Sequence, residues 1–119
     1  MVSARFPRRA RLQGPADFRH VFAQPEKSAD HCFTVLARCN ALGYPRLGLA
    51  ISRKAAKLAV ERNRIKRVVR ESFRLHQGEL GGVDIVVIGR GDLGGRDNAA
   101  LFQSLQRHWA RLAKRCASS

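Results

Sequence analysis

The chain has 119 residues and a mass of 13.3 kDa, enough for one compact domain that buries roughly two-thirds of its unfolded surface without a disulfide or a metal. Hydrophobic residues make up 45% and charged residues 27%, which excludes wholesale disorder, and no apolar run approaches the ~18 residues of a membrane span. Lys plus Arg is 23 against 9 for Asp plus Glu, a net charge of +14, and such a field attracts polyanions, nucleic acid ahead of an anionic membrane.

A single domain over 1–119 is expected, opening on an arginine-rich arm at 1–13, MVSARFPRRARLQ, which has no apolar stretch behind it and so is not a secretory signal. Pro15 suits the first turn of a helix from Ala16 to about Gln24, with Phe18, Val21 and Phe22 on one face and Pro25 as its end. Glu26 and Asp30 follow in a polar connection and read as solvated. His31 to Asn40 mixes β-branched and aromatic residues and predicts a strand, Ala41 to Pro45 a turn, and Arg46 to Ile51 a second strand antiparallel to the first. A basic helix is predicted from about Leu58 to His76, terminated by Gly78, Gly81 and Gly82. Val83 to Ile88 is almost wholly apolar, as a central strand covered on both faces should be. After a Gly-rich loop, Asn98 to Cys116 closes the order as a helix with Leu101, Phe102, Leu105, Trp109 and Leu112 on its apolar side. The fold class is α+β, an α-β-β-α-β-α sandwich with a central mixed sheet packed by helices. Cys32, Cys39 and Cys116 lack CxxC spacing and read as three reduced thiols of a cytosolic protein.

The charge is concentrated. Residues 53–74 hold nine cations against Glu61 and Glu71, half of the net charge. On a helical wheel Leu58, Val68, Val69, Ser72, Phe73 and Leu75 cluster around Ile65, while Asn63, Lys66, Arg67, Arg70 and Arg74 take the opposite face. Arg64 borders the apolar arc, and Arg62 falls inside it but in the first turn, where a long side chain snorkels past the helix end. A solvated helix face normally mixes signs to form i,i+4 pairs. This one has almost no acid to pair with, so phosphates are the expected counter-charge, and arginine's planar fork suits them.

Nothing in the sequence supplies a protein catalyst. The acids are scattered without a DxD pair, His20, His31, His76 and His108 lack metal-ligand spacing, and no Ser-His-Asp set is legible. Gly89 to Gly94 matches GxGxxG after a strand, but only a helix follows it, so a flexible loop is expected and not a dinucleotide site.

The run AVERNRIKRVVRESFR, residues 59–74, resembles the RNR motif of the bacterial ribonuclease P protein component, and GLAISRK and PADFRHVF are similar to that family's strand-into-helix and first-helix segments. The resemblance covers nearly the whole chain. It implies a left-handed βαβ crossover and a cytoplasmic ribonucleoprotein, one protein per RNA, in which the RNA carries catalysis. That holoenzyme is an endoribonuclease that cuts the 5′ leader from precursor tRNA, with Mg²⁺ held mainly by the RNA and no metal site or catalytic residue on the protein. It further implies contacts to the catalytic RNA at Arg53, Lys54, Arg62, Asn63, Arg64, Lys66, Arg67 and Arg70, and to the leader at Phe18, Phe22 and Phe33. Where some relatives carry an aromatic beyond the Phe33 position, this chain has Val35 and Leu36, which predicts less base stacking there. The alternatives are a ribosomal or RNA-chaperone protein and a protein-only nuclease.

Overall fold

The run VDIVVIG has no polar alternation, and in the computed structural model it is the strand around which the rest is arranged. The structure describes residues 10–12, 14–91 and 93–117, with side chains as far as Ala113. In chain order it contains α1 (Gly14–Ala23), β1 (Glu26–Ala29), β2 (Phe33–Cys39), β3 (Arg46–Ala50), α2 (Ala59–Leu80), β4 (Val83–Gly89), a 3₁₀ turn at Leu93–Gly95 and α3 (Asn98–Ala117). The architecture is α+β as expected, with one strand more than the sequence announced.

The sheet order is β1-β2-β4-β3. β4 pairs antiparallel with β2, from Phe33↔Gly89 to Cys39↔Val83, and parallel with β3, from Arg46↔Asp84 to Ala50↔Ile88. β3 therefore runs antiparallel to β2, as predicted, but does not pair with it: the more apolar β4 returns through α2 and takes the central place between them. The unpredicted strand, β1, pairs with β2 at the other edge. Its sequence EKSA buries only Ser28, so it has no apolar periodicity to read. At the β3 edge the end of the predicted arm is docked, with Arg11 bridged to Leu47 and Leu12 N–H donating to the Leu47 carbonyl at 3.0 Å. Ala10 and Leu12 are buried there, whereas arm residues 1–9 and 13 lie outside the described residues.

The two faces are covered unequally. Ile65, Val68, Val69 and Phe73 of α2 and Leu101, Leu105 and Trp109 of α3 bury against Phe33, Val35, Ile85 and Val87. Trp109 meets Phe73 edge-on, ring centres 6.0 Å apart, and its Nε1 donates to Ser72 Oγ at 2.8 Å. On the other face α1 and the docked arm cover a smaller cluster of Leu12, Val21, Leu36 and Val86, with Phe18 and Ile88 against it.

Several expectations give way to tertiary context. α2 runs through Gly78 to Leu80 and ends at Gly81, whose φ is 66°. One interior glycine costs a helix about 1 kcal/mol, and burial of Leu80 offsets it. Leu58, in the predicted apolar arc, is 63% exposed, because it is the helix N-cap with extended backbone and the wheel does not apply to it. Leu75, at the edge of that arc, is 60% exposed. Asp30 is not solvated: its Oδ1 accepts from the Cys32 and Phe33 amides at 2.8 and 3.0 Å, and its Oδ2 from Ser104 Oγ of α3. The Gly-rich loop is packed, with Leu93 fully buried and its N–H on the Ala55 carbonyl at 2.9 Å. A Cβ on Gly89 would sit 2.9 Å from Leu93, so that glycine of the GxGxxG match serves packing. Cys32 is a buried free thiol, whereas Cys39 is disulfide-bonded, contrary to the expectation of reduced thiols. The Cys116 side chain is outside the described ones.

Candidate RNA interface

The amphipathic register of α2 turns its apolar stripe into the core and leaves its cations outside. Asn63 and Arg67 are exposed, Lys66 and Arg70 half-buried, and Arg53 and Lys54 exposed on the turn that leads into the helix. That turn is closed by the Ala55 and Ala56 amides on the Ser52 carbonyl at 3.1 and 3.2 Å. Among the described residues none accepts a hydrogen bond or forms an ion pair with the side chains of Arg53, Lys54, Asn63, Lys66, Arg67 or Arg70. Six of the eight residues expected to contact RNA thus share one surface with their polar groups uncommitted.

The two motif arginines behave differently. Arg62 spends only Nη1, on the Ala56 and Lys57 carbonyls at 2.9 and 2.8 Å, so its Nε/Nη2 edge remains open. Arg64 is engaged on both edges of its fork: Nε and Nη2 reach Glu61 Oε2 at 3.3 and 2.9 Å, Nη1 reaches Asn98 Oδ1 at 2.7 Å, and Nη2 reaches the Arg96 carbonyl at 2.9 Å. Arg74, on the outer face, pairs with Glu71.

Where α2 passes the β3 edge, a cleft of about 210 Å³ opens between it and α1. Phe18, Leu12 and Gly48 form its apolar side, and Arg11, Lys66 and Arg70 its cationic side. Gly48 is required there, since a Cβ would come within 2.6 Å of the Phe18 ring and 2.9 Å of Leu12. Burial, and next the like charge of Arg11, lower the pKa of the Arg70 guanidinium. Cations held in mutual repulsion are stabilised by a phosphate between them. α1 is fastened over the sheet at both ends: Arg46 bridges Asp17 at 3.4 Å and the buried Asp84 at 2.6 Å, and Arg38 Nη1 donates to the His20 carbonyl at 2.9 Å.

Of the aromatic residues expected at the leader, Phe18 lines this cleft and Phe22, one turn on, is 48% exposed. Phe33 is a correction: it is fully buried on the α2/α3 side of the sheet, where no base can stack on it. Strand alternation puts Leu36 on the α1 face and Val35 with Phe33 in the opposite core. Arg11 and Leu12 were missed because only the docking of the arm beside β3 brings them to Phe18, and Gly48 because only the packing of α1 over the sheet does.

One arrangement looks like hydrolytic machinery and is not. Ser28 Oγ lies 2.6 Å from His108 Nδ1, and His108 Nε2 lies 3.3 Å from Asp30 Oδ1 without the alignment of a hydrogen bond. Both Ser28 and His108 are buried, and Arg111 donates to the serine oxygen at 3.2 Å. Buried where α3 meets the sheet edge, this cluster ties α3 to β1. Among the described residues no three of His, Cys, Asp and Glu converge as metal ligands, and no helix is long and apolar enough to cross a membrane.

The likeness to known proteins extends over nearly the whole chain. The Ribonuclease P family model matches residues 6–113. The ribonuclease P protein component of Methylococcus capsulatus is 52% identical over 114 residues, covering 96% of this chain and 89% of that protein. That of Serratia proteamaculans is 44% identical over 119 residues, the whole of both chains. Among solved structures, the RNase P protein of Staphylococcus aureus aligns with a TM-score of 0.77 at 33% identity, over 88% of this chain and 95% of that one. The Thermotoga maritima RNase P protein gives 0.75 at 36%, over 85% and 96%. With these relatives, the uncommitted RNR face and the cleft beside it, the chain belongs to the bacterial ribonuclease P protein component family.

Proposed function

We propose that this protein is the subunit of ribonuclease P that binds the catalytic RNA through the α2 face and the 5′ leader of precursor tRNA in the cleft beside it, so that the leader is removed and the mature 5′ end made. The observation that carries this is the cluster of uncommitted groups, Asn63, Lys66, Arg67 and Arg70 on the helix with Arg53 and Lys54 before it. Their part is electrostatic. Cations between two polyanions lower the repulsion that opposes docking of substrate on ribozyme. The cleft pairs a stacking surface, Phe18, with Lys66 and Arg70 at phosphate reach of one another, which suits a single-stranded segment. A leader held there adds affinity for precursor over product. In this reading the Mg²⁺ that the family implies is held mainly by the RNA, and the protein's own residues bind and position the two RNAs. One protein per RNA, in the cytoplasm, completes the proposal.

The test is reconstitution. Precursor tRNA is incubated with the protein alone, with the catalytic RNA alone at low Mg²⁺, and with both. Efficient cleavage is expected only in the last; cleavage by the protein alone would make it a nuclease in its own right and overturn the reading.

A further inference from the structure

The RNR signature treats its two arginines alike, but the structure separates them. A guanidinium presents two flat edges for bidentate capture of a phosphate, Nε with Nη2 and Nη1 with Nη2. In Arg62 the first edge is open. In Arg64 the first edge is closed by Glu61 and the second by Asn98 Oδ1 and the Arg96 carbonyl, with the Gly94 carbonyl a further 3.4 Å neighbour of Nη2. These acceptors belong to separate parts of the chain: Glu61 to the first turn of α2, Gly94 to the 3₁₀ segment, Arg96 to the link between that segment and α3, and Asn98 to the start of α3. The 3₁₀ segment in turn holds the lead-in turn, through Leu93 N–H on the Ala55 carbonyl at 2.9 Å. Arg53 and Lys54 sit on that turn.

We propose that Arg64 is a positioning residue and not a phosphate ligand: it clamps the 3₁₀ segment and the start of α3 to α2, and through Leu93 and Ala55 it holds the cations of the lead-in turn level with Asn63 and Arg67. The inference rests on the reading of α2 as the RNA-binding face. Shape matters here more than charge, because one ammonium cannot reach four acceptors on separate parts of the chain.

The experiment measures equilibrium binding of the complete protein to ribonuclease P RNA for Arg64→Lys, Arg64→Met, Asn98→Ala and, as controls, wild type and Arg67→Lys. Each is checked for folding by circular dichroism. Arg64→Lys and Arg64→Met are expected to weaken binding equally, between about twofold and thirtyfold, the span of coupling through packed elements. Arg67→Lys keeps the cation of an exposed phosphate ligand and should lose less affinity than Arg64→Lys, because an ammonium still meets a phosphate but not a set of acceptors spread around a fork. Asn98→Ala removes no cation and should shift affinity in the same direction by less; it carries the test if the Arg64 variants do not fold. Arg64→Lys binding like wild type while Arg64→Met does not would make the charge itself the RNA ligand and overturn the proposal. Binding by all the variants at the wild-type level would overturn it as well. Failure of the wild type to bind this RNA is a different result and would count against the functional reading instead.

Discussion

Gly48 decides more at the cleft than any charged residue. With a hydrogen where other residues carry Cβ, the Phe18 ring settles on β3 beside Leu12, within reach of Lys66 and Arg70. Adding one methyl pushes directly against that ring, and overpacking of this kind costs about 1–3 kcal/mol. Gly48→Ala is therefore expected to lower the melting temperature and weaken precursor binding together; a variant that melts lower but binds precursor like the wild type would show that the ring's seat is irrelevant to substrate. Phe18→Ala removes the stacking surface itself, worth about 1–3 kcal/mol for one base. Precursor tRNA affinity should fall accordingly while mature tRNA affinity stays, and an equal drop for both would reduce Phe18 to a core residue. Phe33 shows the limit of reading aromatic residues one at a time. It lies three places before Leu36 in the same strand, yet odd and even positions of β2 face different cores.

At the scale of the helix, α2 works because it turns an apolar stripe into the core and most of its cations outward. The buried side, Ile65, Val68, Val69, Ser72 and Phe73, anchors it to the sheet and to α3, and the outer side keeps Arg67 exposed without a partner among the described residues. Removing one phosphate-binding cation from such a face should lower the log–log salt slope of RNA binding by about 0.7–0.9. Arg67→Ala and Arg62→Ala are both expected to do so, Arg62 through the Nε/Nη2 edge that its loop bonds leave open. Salt titrations of the two variants against ribonuclease P RNA check it; a wild-type slope in both would remove the phosphate assignment. The extension of α2 through Gly78 belongs to this scale too, since it follows from where Leu80 is buried and not from local propensity.

Across the whole molecule, α3 carries a buried histidine that couples stability to pH. It ties to α2 through Trp109 and Ser72 and to the β1 edge through His108, Ser104 and Asp30. Burial lowers the pKa of the His108 imidazole from the ordinary 6.5; Asp30 opposes this, and the cations Arg111 and Arg107 add to it. Burial would raise Asp30, but the Ser104 hydroxyl, the Phe33 and Cys32 amides and His108 outweigh it and hold the carboxyl below its ordinary 3.8. Both groups take up protons more readily in the unfolded chain. Stability is therefore full above about pH 6.5, falls as the pH drops from there toward the depressed value of His108, and falls again below the ordinary range of Asp30. Thermal melts should shift downward between pH 7 and pH 5, and His108→Gln should shrink that shift. A pH-independent melting temperature over this range would refute the assignment.

The fold class, the central place of β4, the two-faced basic helix and the RNR signature were legible without coordinates, because each rests on periodicity or composition within one segment. The seat of Phe18, the burial of Phe33, the strand β1, the bond of Cys39 and the division of labour between Arg62 and Arg64 were not. Each depends on which distant segment supplies the neighbour: β1 beside β2, the arm beside β3, the 3₁₀ segment against Arg64. A one-dimensional pattern records what a residue is and how often it recurs, whereas the partner that occupies its donors or covers its ring is set where parts of the chain tens of residues apart come together.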